Sequence, residues 1–81
     1  MPITLVFLGK LADLAGEAQR TIAMDALDWP GLLALCEPAL ADAVASDKVR
    51  VAVNGEVLAD KALLAAGPGA EIALLPPVSG G

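Results

Sequence analysis

The sequence has no histidine and no tyrosine, and a single cysteine, tryptophan and phenylalanine each. Without histidine, the chain holds no Ser-His-Asp triad, no Cys-His pair and no His-ligated metal. It is a poor candidate for a stand-alone enzyme, and no permanently bound cofactor is expected. One cysteine excludes an internal disulfide, which fits a reducing, cytoplasmic setting. Basic residues are scarce as well: five Lys and Arg against ten Asp and Glu give a net charge of −5. Phosphate binding needs a concentrated basic surface, so nucleic acid is not an expected partner. No run reaches the ~18 uninterrupted apolar residues of a membrane span. Met1-Pro2-Ile3-Thr4 lacks a charged leader region and Lys10 breaks the early apolar run, so neither a secretory signal nor membrane association is expected.

What is present is aliphatic. Hydrophobic residues make up 57% of the 81 positions, enough for one small domain with a core of Leu, Val, Ile and Ala. Ile3, Leu5 and Phe7 alternate with Thr4, Val6 and Leu8, the period of a strand with one buried face. Leu11 to Gly16 reads as a short connector or single helical turn stopped by glycine. Gln19 to Met24 reads as a second strand with Ile22 and Met24 inside and Arg20 at the rim. Asp28 before Trp29-Pro30 is a helix-start signature. The apolar stripe Trp29, Leu32, Leu33 and Cys36 predicts a main helix to about Cys36 or Glu37. Pro38 then interrupts, and a shorter helical piece covers 39–45. Val49, Val51 and Val53 alternate into Asn54-Gly55, a strong hairpin signal, and 56–58 returns as a brief strand. Residues 60–64 suggest a turn of helix or 3₁₀, Gly67-Pro68-Gly69 a turn, and 71–75 a last strand. This order packs one main helix on one face of a mixed sheet, an α+β arrangement.

The last stretch, Leu74-Leu75-Pro76-Pro77-Val78-Ser79-Gly80-Gly81, organises the functional reading. Pro76 and Pro77 cannot extend a ladder and favour an extended exit from residue 75. Gly80 and Gly81 lack Cβ atoms, so another protein's backbone can close around them. The expectation is a body over 1–75 and a tail over 76–81 that presents a free carboxylate on Gly81. Gly80, Ser79, Pro77 and Pro76 would give that carboxylate access to a partner. Leu74, Leu75 and Val78, apolar beside two prolines, are expected to leave a docking patch exposed.

Phe7 to Gly16, Val51-Ala52-Val53-Asn54-Gly55 and Gly69 to Gly81 together resemble the small subunit of molybdopterin synthase, within the MoaD/ThiS group of ubiquitin-like sulfur carriers. The resemblance spans essentially the whole chain, and Pro-Pro-Val before Gly-Gly is its most specific part. Thiamine-pathway carriers share the glycine pair but typically lack that stem. The resemblance implies a β-grasp fold of about five strands, the first and last parallel at the centre. It implies that a ubiquitin-activating-type, MoeB-like enzyme adenylates the Gly81 carboxylate with ATP. A sulfur donor protein would then convert it to a thiocarboxylate. Inserted into the large synthase subunit, in a heterotetramer, the tail would pass sulfur to cyclic pyranopterin monophosphate in molybdenum cofactor biosynthesis. A thiamine-type carrier, or a ubiquitin-like modifier joined to target lysines through Gly81, shares the activation step. Related sequences often carry Arg-Glu where this chain has Ala12-Asp13, and an aromatic where it has Leu75; no partner contact is carried over to those positions.

Other residues admit a functional and a structural reading. Cys36 could relay sulfur, but on an apolar stripe without histidine it reads as a small buried residue. Trp29 could be an interface anchor or could pack on the sheet rim. Lys48, Arg50 and Lys61 could meet an acidic partner or could be solvated.

Overall fold

The computed structural model describes residues 1–77. Its centre is the pairing of β1 (Ile3–Phe7) with β7 (Glu71–Leu75), which run parallel with Leu5 beside Ile72 and Phe7 beside Leu74. Strand β2 (Gln19–Ile22) adds antiparallel to β1, and β4 (Arg50–Val53) adds antiparallel to β7. With β5 (Glu56–Val57) at the far edge, the five-stranded order is β2-β1-β7-β4-β5. This is the arrangement expected of a β-grasp domain.

Alternation along the strands decides the faces. Ile3, Leu5, Phe7, Val51, Ile72 and Leu74 point to one side and are buried. Leu11 of α1 (Lys10–Ala15), Leu32 of α2 (Trp29–Ala34) and Leu40 and Val44 of α3 (Pro38–Ala45) cover that face. No side-chain polar or charged residue is buried among the described residues, so the core rests on aliphatic packing.

Local chemistry sets the joints. Asp28 caps α2, its carboxylate accepting from the Gly31 N–H at 2.9 Å. The expected main helix closes earlier, at Ala34, and the piece after Pro38 is the longer of the two. Pro38 does not break a helix but starts one, at a position where its missing N–H costs nothing. Gly16 ends α1 in the left-handed region (φ 79°), donating to the Ala12 carbonyl at 2.9 Å. Asn54 and Gly55, at φ 51° and 86°, make the hairpin turn. Asn54 also ties that turn to β7: its N–H donates to the Glu71 carbonyl at 2.8 Å and its Oδ1 accepts from the Glu71 N–H at 3.0 Å.

Three expectations need correction. Met24 lies beyond the end of β2 and is exposed, because the strand stops at Ile22. A small second sheet, β3 (Leu27–Asp28) with β6 (Ala65–Ala66), had no signature, since two-residue strands show no periodicity. Leu74 is fully buried between the sheet and the helices, so it is core and not docking surface. We expect Leu74→Ala to lower unfolding free energy by about 2–5 kcal/mol and half-buried Leu75→Ala by under about 1.5 kcal/mol. Urea melts of the two variants check this, and equal losses would contradict the face assignment.

Candidate functional site

The site is the root from which the tail departs. Because β7 lies between β1 and β4, it is paired on both sides as far as Leu74, and Leu75 is held by β4 alone. Leu75 faces Arg50 in the register and is half-buried on the side away from the helices. Pro76 is half-buried and Pro77 exposed. The predicted tail residues Val78, Ser79, Gly80 and Gly81 lie outside the described residues.

Pro76 rests on Gly9, at the exit of β1. Gly9 has φ +55° and is the residue before α1; a Cβ there would stand 3.3 Å from Pro76 Cγ. A side chain at Gly9 is thus opposed twice, by backbone strain and by the proline ring. The sequence signal was a glycine two residues after a strand, meaningful only once β1 and β7 are known to be neighbours. A groove of about 530 Å³ continues from this contact. Leu11, Ala43, Val49 and Pro76 give it an apolar lining, with Lys10 and Lys48 at its sides. Ala12 is half-buried and Asp13 exposed on α1, and neither lines it.

The remaining candidates fall to structural roles. Cys36 follows the end of α2, half-buried, its thiol donating to the Leu32 carbonyl at 3.3 Å. Burial pushes its pKa up, while the nearby Arg20 guanidinium pulls the other way. Trp29 packs against the core at the start of α2, with the Lys61 ammonium 5.6 Å from its ring centroid. Lys61 also donates to the carbonyls of Val44 at 3.0 Å, Val49 at 2.9 Å and Ser46, capping the end of α3. Its ammonium is thus engaged by carbonyls of its own chain. Burial holds its pKa below the usual lysine value. Arg20, placed at the rim as expected, bonds Glu17 at 2.6 Å and Glu37 at 3.4 Å. It also donates to the carbonyls of Ala15 and Leu35, both at 3.3 Å, so it joins the ends of α1 and α2. The Glu17 bond raises its pKa further. No group of acidic and cysteine side chains among the described residues is arranged to hold a metal ion.

The domain therefore offers a rigid root and no catalytic cluster among its described residues. A model of the ThiS family matches residues 5–81, through both terminal glycines. The chain belongs to the ThiS family. No curated protein sequence matches it. Among solved structures it is similar to SAMP1 from Haloferax volcanii, at 30% identity and a TM-score of 0.72, each chain covered over 100% of its length. The Haloferax volcanii HVO 2177 protein matches at 24% identity and TM-score 0.78, over 100% of this chain and 87% of that one. The small archaeal modifier protein 1 of Methanosarcina acetivorans matches at 23% and 0.73, over 99% and 96%. The latter two speak for the fold alone, a ubiquitin-like β-grasp. Among the described residues, no helix is long and apolar enough to cross a membrane.

Two outcomes are expected. Gly9→Ala should cost about 1–3 kcal/mol through its positive-φ backbone and shift the Pro76 resonances in NMR spectra; an unmoved Pro76 would remove Gly9 from the root. Cys36 should alkylate with iodoacetamide at neutral pH well below the rate of the urea-unfolded chain; equal rates would mean an activated thiol.

Proposed function

We propose that this chain is a ubiquitin-like carrier activated at its Gly81 carboxylate by a ubiquitin-activating-type enzyme. A carboxylate is a poor electrophile because its leaving group is oxide. Attack of a Gly81 oxygen on the α-phosphorus of ATP expels pyrophosphate and leaves an acyl adenylate. A nucleophile then displaces AMP. The acid, base and nucleotide contacts belong to the partner, which agrees with a chain lacking histidine. The observation that carries this reading is the family match running through Gly81, on a domain whose central strand ends at the tail root.

The fate of the adenylate divides two readings. The full-length likeness to SAMP1, a small archaeal modifier protein, favours conjugation: a target lysine amine attacks, and an isopeptide bond to Gly81 replaces the bond to AMP. The stem Pro76-Pro77-Val78-Ser79-Gly80-Gly81 favours the second reading, a sulfur carrier for the dithiolene of the molybdenum cofactor. There a sulfur donor protein supplies the nucleophile, Gly81 ends as a thiocarboxylate, and the large subunit of molybdopterin synthase receives the tail.

Mass spectrometry of the native protein and of a tryptic digest of its cells separates the two. Trypsin has no site after Lys61, so conjugation leaves a 62–81 branch on target lysines. A carrier instead shows one terminal oxygen exchanged for sulfur and no branches. Deleting Gly81 should abolish either product without changing thermal unfolding. Mature protein with residues beyond Gly81, or products that survive the deletion, would sink the proposal.

A further inference from the structure

Positive charge is scarce in this molecule, and the fold divides it unequally. Of the five basic side chains, Arg20 and Lys61 are committed to internal carbonyls and neighbouring carboxylates. Lys10, Lys48 and Arg50 are exposed, and among the described residues none of them is in an ion pair. Asp13 and Asp47, close to them in sequence, leave them unpaired. All three lie at the tail root. Lys10 and Lys48 border the groove that ends at Pro76 and Pro77, and Arg50 stands opposite Leu75 in the β4–β7 ladder. Elements far apart in sequence thus bring the three basic side chains that are in no ion pair among the described residues of a −5 chain to the place where the tail departs.

We infer that this root, with Lys10 and Lys48 beside an apolar groove and Arg50 opposite Leu75 on the other face of the sheet, docks an acidic, partly apolar surface of the enzyme that activates Gly81. The inference rests on the carrier reading above and names how the partner recognises the body. Cations beside an apolar floor fit carboxylates flanking an aliphatic or aromatic side chain. The nucleotide is not the occupant. A tail threaded into a channel is extended, and four residues at roughly 3.5 Å each put about 14 Å between Pro77 and the reacting carboxylate. Cations at the root then meet the protein around the channel mouth, where they steer encounter and set register. A second copy of this chain is disfavoured as occupant by its net negative charge.

The test uses the full chain and the activating enzyme that loads it, with ATP–pyrophosphate exchange as the readout. Lys10→Glu, Lys48→Glu and Arg50→Glu combined should raise the KM for the carrier about tenfold or more at low salt, with kcat within about twofold. The KM for ATP should not move. Wild-type KM should climb steeply with salt while that of the triple variant stays nearly flat. The Lys10→Gln, Lys48→Gln and Arg50→Gln combination should fall between the two, and it serves in place of the first if that does not fold. Unchanged carrier KM and salt dependence overturn the inference while leaving the carrier reading intact. A rise in the KM for ATP instead makes the nucleotide the occupant, and dimerisation of the wild type that the charge changes abolish makes it a second copy; either result overturns it. If no activating enzyme loads the wild type, the carrier reading fails and this inference fails with it.

Discussion

The parallel pairing of β1 with β7 is the constraint on which the molecule depends. It joins the first strand to the last across nearly the whole chain, and such a contact carries a larger closure cost than any local turn. The compensation is burial: Ile3, Leu5, Phe7, Ile72 and Leu74 form the middle of the core from those two strands alone. With β2 and β4 on the outer sides, neither central strand has a free edge. The tail therefore follows a strand from the centre of the sheet.

Around that pairing, side chains from distant segments act as ties. Asn54 fastens the β4–β5 turn to the start of β7, Arg20 joins the ends of α1 and α2, and Lys61 caps α3. Each satisfies backbone groups that a short helix or tight turn would leave without partners. In a domain with helices of only six to eight residues, these bonds matter more than intrinsic helix propensity. They also explain the charge left over. With Arg20 and Lys61 used as ties, the other three basic residues, Lys10, Lys48 and Arg50, lie near the root.

The division of labour fits the chemistry proposed for the family. A chain that supplies only a carboxylate needs no tuned acid or base, and the pKa shifts found here all belong to structural groups. Cys36 shows the contrast: its thiol is hydrogen-bonded, half-buried and pushed toward the protonated form. In the proposed carrier role the body would be the grip, with specificity set by what surrounds the tail.

Much of this was legible from the sequence. Alternation at 3–7 and 71–75, Asn54-Gly55, the Asp28 cap and the Gly16 stop are local signals, set by side-chain period and by φ preferences that neighbouring residues impose. Tertiary structure decided what depends on neighbours distant in the chain. It placed Leu74 in the core and Leu75 on the opposite face, made Gly9 the seat of Pro76, turned Lys61 inward and left Lys10 outside. Period-2 alternation tells which residues share a face but not which face is covered, and a lysine's partners depend on carbonyls that only packing brings within reach.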